Sequence, residues 1–548
     1  MRRATILASL LLAACATAGR PALEPPYDLL IVHGRIVDGT GNPWYYGDLA
    51  IRGDRIARVG PGLEHLSAKR VIDARGMVVA PGFIDMLGHS EYTLLSQPQA
   101  LSKITQGITS EITGEVYSVW PNTTPTTGAS APRAPRWTSL PGYFDQLQRH
   151  GTAINLGTFI AAGSVRRAVM GDASRRPTPE ELAKMGDLVE EGMRGGAMGF
   201  STGLIYPPST WFTTEELTAL AKRAAPYGGG YASHIRSEGP QLLEAIREAI
   251  AIGTGAGTWI EIRHLKASGQ PNWDKMRDAI ALIDSARRAG VDVTADQYPY
   301  TASGTGLSAI LPTWVQAGGT DSMIARLQDS TVRARLRADR LRSPVDARAP
   351  DQVLINEVTT DSLRIYEGKM LDEVGRMRHE DPYDAAYDIL IADHGETSAI
   401  YFTMSEDDVR MAMRQPWVAV GQDAGAVTPD SSGHGRGHPR GFGTFPRILG
   451  RYVRQDSVLR LEQAVRKMTS LAAQRVGLDE RGVLKRGMYA DVVVFDPATV
   501  IDRATYQEPE LFSTGVRWVA VNGVLVLDEG RPTGALPGRA LLGPGARR

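Results

Sequence analysis

Two histidines each follow a short run of β-forming residues, in Tyr231-Ala-Ser-His234-Ile-Arg236 and in Trp259-Ile-Glu-Ile-Arg-His264-Leu-Lys266. A helical pattern precedes each run, which predicts that each imidazole sits near the C-terminal end of a strand in a βα repeat. In a barrel of parallel strands, that end is where reactive groups converge. Two core histidines sharing backbone hydrogen bonds would explain the pair alone equally well. Other strand ends add donors. The first runs Pro81-Gly-Phe-Ile-Asp85-Met-Leu87-Gly-His89-Ser-Glu91, the second Gly107-Ile-Thr-Ser-Glu-Ile-Thr-Gly-Glu115, and the eighth Gly421-Gln-Asp423-Ala-Gly425. Imidazoles and carboxylates around one point suit Zn2+, which in catalytic sites keeps three protein ligands and one position for water. A carboxylate beside that water can take its proton.

Positioning such a set takes a repeated scaffold. Eight strand candidates are legible: Val78–Ile84, Ile108–Thr113, Ala153–Ile160, Ala197–Ser201, Tyr231–Ile235, Trp259–Leu265, Val291–Asp296 and Trp417–Gly421. Apolar residues at helical spacing mark Thr178–Arg194, Pro240–Ile252 and Asp274–Ala289 between them. The pattern predicts an α/β fold, a (β/α)8 TIM barrel over residues 81–480. Residues 27–80 and 481–540 read as short strands with tight turns, such as Gly53-Asp54 and Asn522-Gly523. Neither end has enough strands to bury a face alone, so the two are expected to form one small β-sandwich. Two long connections stand out. Tyr117–Leu140 is rich in Pro, Thr and Ala, and the stretch after Tyr298 is expected to hold an insertion over about residues 299–365, between strands 7 and 8.

The chain has 548 residues, with 61 basic against 61 acidic side chains, so charge gives no reason to expect a nucleic-acid partner. Hydrophobic residues make up 42%, with 59 glycines and 33 prolines, as in a loop-rich globular enzyme. Met1-Arg-Arg3 followed by the apolar Ile6–Ala14 reads as an export signal too short to span a bilayer. It ends in Leu12-Ala-Ala-Cys15, similar to a bacterial lipobox, with residues 16–26 as a spacer. The expectation is an envelope or periplasmic protein whose only membrane contact is a lipid on Cys15. An ordinary secretory peptide cut after Ala16 or Ala18 is the rival reading. Cys15 is the single cysteine, so no internal disulfide can form.

Six segments together carry a family resemblance: Ala80-Pro-Gly-Phe-Ile-Asp85, Ala197-Met-Gly-Phe-Ser-Thr-Gly203, Ser233-His-Ile-Arg-Ser-Glu-Gly239, Arg263-His-Leu-Lys266, Asp296-Gln-Tyr-Pro-Tyr300 and His438-Pro-Arg-Gly-Phe-Gly-Thr-Phe-Pro446. In this order they resemble the amidohydrolase superfamily, and within it the D-aminoacylase (N-acyl-D-amino-acid deacylase) branch. Two departures matter. The first strand of that family carries His-x-His, and here the first of the pair is Leu87. The second strand of the branch supplies a cysteine thiolate, and here Glu115 is the nearest metal-binding side chain. A carboxylate can take a thiolate's place as anionic ligand. The resemblance therefore implies one tightly held Zn2+ on Glu115, His234 and His264, with a second metal position that has lost a ligand. His89 has three readings: a weak ligand at that second position, a hydrogen-bond partner of Asp423, or a packed side chain. Asp423 is implied as the general base, against the plainer role of helix N-cap. Lys266, Tyr298 and Arg440 match positions that grip a substrate α-carboxylate. Arg236 reads as an ion-pair partner, and His434 and His438 as loop structure.

The implied activity is metal-dependent hydrolysis of N-acyl-(D-)amino acids or dipeptide-like small molecules. A cyclic-amide hydrolase of the hydantoinase or dihydroorotase kind, or a lactone or ester hydrolase, would use the same machinery. A non-catalytic envelope binding protein with a degenerate metal site is the reading of another class.

Overall fold

The computed structural model describes residues 26–122, 137–342, 349–429 and 437–547. The N-terminal segment read as an export signal, Cys15, His434 and most of Tyr117–Leu140 lie outside them. Eight parallel strand positions form the barrel: β1 (Phe83–Asp85), β2 (Ile108–Thr113), β3 (Asn155–Thr158, resuming at Ile160–Ala161), β4 (Gly199–Gly203), β5 (Gly230–His234), β6 (Ile260–Ile262), β7 (Val293–Gln297) and β8 (Val418–Val420). Parallel pairing runs from β1 to β3, with one register shift between Phe83 and Ile84, and from the resumed β3 through β7 to β8. The Met86 amide donates to Val420 O at 3.1 Å, and Gly88 bridges Ala424, which closes the ring between β8 and β1.

Amphipathic helices cover the strands. Pro179–Arg194 begins with a full capping box, in which Thr178 accepts from the Glu181 amide and Glu181 answers on the Thr178 amide. Leu242–Ala256 and Lys275–Arg288 occupy the other two expected helical segments. Every residue of β2, β4, β5 and β7 is buried, as expected of strands with helices on one face and a filled barrel on the other.

Three boundaries differ from the sequence expectation. The run Val78–Ile84 is two strands: Val78–Pro81 pairs antiparallel with Val492–Phe495 outside the barrel, and only Phe83–Asp85 belongs to it. The break falls at Gly82, where a Cβ would collide with the Thr109 side chain. Second, the insertion expected to close near 365 runs from Ser303 to Tyr401. Its middle strand, Ser398–Tyr401, pairs with both Ser303–Gly306 and Val353–Glu357, so the unit cannot close before that strand is made. Helices pack on it around a separate apolar cluster that includes Leu327, Val353, Val374 and Ile389. Third, the last strand of the outer sheet ends at Pro532, short of 540. Pro537 and Ala540 instead bridge Thr152 and Leu156 of the barrel.

Strands from both ends of the chain form one nine-stranded sheet, with Val492–Phe495 and Val78–Pro81 at the seam between C-terminal and N-terminal halves. Among the described residues no helix is long and apolar enough to cross a membrane.

Candidate metal-dependent active site

The strand ends open into a cavity of about 460 Å3 lined by His89, Glu115, His234, Glu238, His264, Lys266, Tyr298, Asp423 and Arg440, with the insertion supplying Ser303–Thr305, Gln316 and Thr320 to its wall. All eight residues named from the sequence as candidate site groups are in it.

Glu115, His234 and His264 each point one donor atom to a common centre, within 4.8 Å of one another. His264 Nε2 lies 2.9 Å from Glu115 Oε1, and His234 Nδ1 lies 3.7 Å from the same oxygen. His234 ends β5, while His264 stands two residues past β6 in a left-handed backbone (φ 33°) that its amide supports by donating to Asp296 Oδ1 at 2.7 Å. Positive φ is uncommon outside glycine, though histidine adopts it more readily than most residues.

Both ring nitrogens of His234 are buried without a hydrogen-bond partner, as is Glu115 Oε1. A buried polar atom left unpaired costs roughly 1–3 kcal/mol. A divalent cation satisfies this donor set, and two imidazoles with one carboxylate are a familiar zinc set that leaves the fourth position open. The electrostatics agree. Burial and the Lys266 charge push His264 down, but Glu115 and Glu238 outweigh them and raise it to about 10. Burial opposes ionisation of Glu115, yet His264 and His234 hold it well below the ordinary carboxylate value. Without a metal, the protonated imidazole takes the metal's place beside the carboxylate.

The second cluster is His89, Glu115 and Asp423. His89 Nε2 lies 2.9 Å from Asp423 Oδ1 and 3.9 Å from Glu115 Oε2. Arg440 Nη1 lies 2.7 Å from Asp423 Oδ2. Burial disfavours charge on both partners, but Arg440 and then His89 hold Asp423 at about 2, and Asp423 and Glu115 raise His89 to about 9. The contact of His89 to Asp423 matches one of its three sequence readings, and its place among the Glu115 and Asp423 donors is compatible with the weak-ligand reading. Leu87 is 1% exposed and contributes only its backbone carbonyl, accepting from the Asp423 amide at 2.7 Å.

The cations on the far side have partners of their own. Lys266 Nζ lies 2.5 Å from Glu238 Oε1 and 2.7 Å from His264 Nδ1. The Arg440 guanidinium stacks over the Tyr298 ring at 4.7 Å and donates to Gly304 O at 3.1 Å. His438, read as loop structure, accepts from the Arg440 amide through Nδ1 and faces Ala302 O through Nε2, both at 3.0 Å. Arg236 pairs with Glu248 at 2.8 Å, away from the donors.

Sequence reasoning missed Glu238. Its Oε1 lies 2.9 Å from His264 Nδ1, where a carboxylate fixes the ring and leaves Nε2 toward the donor centre. The available signal was its place four residues after His234 in Ser233–Gly239. Tyr206, 5.1 Å from His234 ring to ring, was missed too, because Gly203-Leu-Ile-Tyr206 gives no periodic signal.

Residues 70–527 match the amidohydrolase family. The chain is 37% identical to a D-aminoacylase of Alcaligenes xylosoxydans xylosoxydans, over 94% of this chain and 98% of that one. The chain belongs to the amidohydrolase family, in its D-aminoacylase branch. An N-acyl-D-glutamate deacylase from Bordetella bronchiseptica, solved with zinc and a phosphonate mimic of the tetrahedral intermediate, superposes with a TM-score of 0.80 at 35% identity, covering 94% of this chain and 100% of its own. A D-aminoacylase with a binuclear metal centre, described as activated by one metal and attenuated by the second, superposes at 0.78 and 33% identity, covering 94% and 99%.

Proposed function

We propose that this protein is a zinc-dependent hydrolase of N-acyl-amino acids, with the D configuration taken from its relatives. The observation that carries the reading is the buried Glu115–His234–His264 donor set, with orphaned imidazole nitrogens, in one cavity with Asp423 and Arg440. Zinc at such a site polarises a scissile carbonyl and makes water nucleophilic near neutral pH. Asp423, ionised at neutral pH, takes a proton from the attacking water and delivers it to the departing nitrogen. His89 shares that proton's path through Asp423 Oδ1. Arg440, over the Tyr298 ring, receives the substrate carboxylate, and Lys266 is the second cation on that wall.

Purified protein assayed for metal and against N-acetyl-D- and L-amino acids tests this. About one zinc per chain with turnover of the open N-acyl substrates is expected. Metal without any turnover would favour a binding protein. Turnover confined to lactones or ring amides would favour the cyclic-substrate hydrolases.

We read the composite sheet as a flanking β-sandwich of 27–80 and 481–540. Its support is that Leu29 and Ile31 join one apolar cluster and Leu30 and Val32 another, so both faces of Tyr27–Ile36 are covered. We also propose export with a lipid anchor at Cys15, on the strength of Leu12-Ala-Ala-Cys15. Cys15→Ser should then move the protein out of the membrane fraction with its catalysis intact.

A further inference from the structure

Below the cavity lies a lysine that the reaction as drawn does not use. Lys103, on the short helix Leu101–Ile104, has a fully buried side chain. Its Nζ lies 2.9 Å from Asp85 Oδ2 and 3.5 Å from Glu111 Oε1, and it donates to Ala424 O at 2.8 Å. A buried ammonium is costly even when paired, so stability alone is a poor reason for it. Its partners tell more. Asp85 ends β1, Glu111 is in β2, and Ala424 follows Asp423.

These contacts hold two loops together. Asp85 Oδ1 accepts from the amides of Leu87 at 3.2 Å and Gln422 at 2.8 Å. Glu111 Oε1 accepts from the Ser90 amide at 3.1 Å, and Ser90 Oγ accepts from the Ala426 amide at 2.7 Å. The Asp423 amide donates to Leu87 O at 2.7 Å, and the His89 amide to Ala424 O at 3.2 Å. Residues 86–90 and 422–426 are thus stapled to each other above one buried ammonium and its two carboxylates. Asp423 needs such a staple. Its φ of 55° is left-handed, a backbone that non-glycine residues adopt far less often than glycine and hold best where neighbours fix it. Close approach adds a second sign of precise fit, because a Cβ at Gly88 would overlap the Glu111 carboxylate.

We propose that Lys103, with Asp85 and Glu111, is a positioning residue that sets the backbone of Asp423 and so aims its carboxylate at the reacting water. The proposal rests on the reading of Asp423 as general base. It predicts a loss in the chemical step without loss of metal, since Glu115, His234 and His264 are outside the staple.

The test is a double-mutant cycle in the zinc-loaded full chain, using Lys103→Met and Asp423→Asn with N-acetyl-amino acid turnover. Because Lys103→Met leaves two buried carboxylates, Lys103→Met/Asp85→Asn is made in parallel. There Asn keeps the acceptor for Leu87 and Gln422 and removes a charge. A misplacement on the order of 1 Å can cost ~100-fold. The expected result is that kcat falls by about that factor while KM and zinc content stay within about twofold, and that the Lys103 change adds little once Asp423 is already Asn. Loss of zinc, a fall shared by KM, or effects that multiply fully in the Asp423→Asn background would overturn it. Full turnover by Asp423→Asn alone would instead remove the base assignment, and the proposal with it.

Discussion

The cavity holds two donor clusters that share Glu115 and differ in how their charges are satisfied. In the Glu115–His234–His264 cluster, the imidazole nitrogens of His234 have no hydrogen-bond partner, and a cation would satisfy the donors. In the His89–Glu115–Asp423 cluster, the cation is already there: Asp423 pairs with Arg440 at 2.7 Å and His89 at 2.9 Å. One donor set is built around an ion, and the other around the protein's own side chains. Leu87, where the family carries a histidine, follows the same division, because it supplies the second cluster with a backbone carbonyl and no ligand.

The largest effect expected from this contrast is in the first cluster. His234→Ala and His264→Ala should lose both bound zinc and turnover, whereas Asp423→Asn should keep zinc and lose turnover by roughly 100- to 10,000-fold. Elemental analysis beside steady-state kinetics reads both, and equal zinc loss in all three variants would erase the distinction between the clusters.

Arg440 comes next. Loss of one desolvated charge-assisted contact costs roughly 2–5 kcal/mol. Arg440→Ala should therefore cut kcat/KM steeply for N-acyl-amino acids and far less for matching amides without the free carboxylate. Because Arg440 also holds Asp423 at about 2, the same variant should move the acidic limb of the pH profile upward. Equal losses for both substrate types would reassign Arg440 to the Asp423 pair alone.

Leu87→His tests whether the second cluster is a metal site lacking one ligand. The wild type should bind about one tight zinc, by the three-ligand count. The variant should take up a second equivalent at raised zinc concentration, measured by equilibrium dialysis. No added binding would mean that the His89–Asp423–Arg440 pairing outcompetes an ion even with the histidine restored.

The smallest effect is on the stability of the metal-free protein. His264 and His89 are raised to about 10 and about 9 from an ordinary 6.5. Their stabilisation is present in full below pH 6.5 and is lost as pH rises through those values. Thermal unfolding of the metal-free chain should weaken from pH 6.5 to 10, and less so with zinc bound, because the metal replaces the proton on His264. A flat profile in the metal-free protein would show that the histidines titrate normally.

Much of this was legible in the chain before any coordinates. Strand-like runs separated by helical periodicity gave the barrel, because side-chain period follows backbone geometry directly. The ends of those strands gave His234, His264, Asp423 and Glu115, because a parallel barrel sends all its C-terminal ends to one face. What sequence reading could not reach were relations between distant segments. The split of Val78–Ile84 is decided by Val492–Phe495 and Thr109, far away in the chain. The insertion's end is decided by Ser398–Tyr401 pairing back to Ser303–Gly306. Glu238 on His264 and Arg440 on Asp423 pair charges across 26 and 17 residues, and Lys103 reaches the Ala424 carbonyl across 321, all set by folding and not by spacing. Local sequence determined which side chains arrive at the mouth of the barrel. Only the tertiary structure decided which of them neutralise one another and which are left waiting for a metal, because pairing depends on angstrom-scale distances inside a low-dielectric cavity.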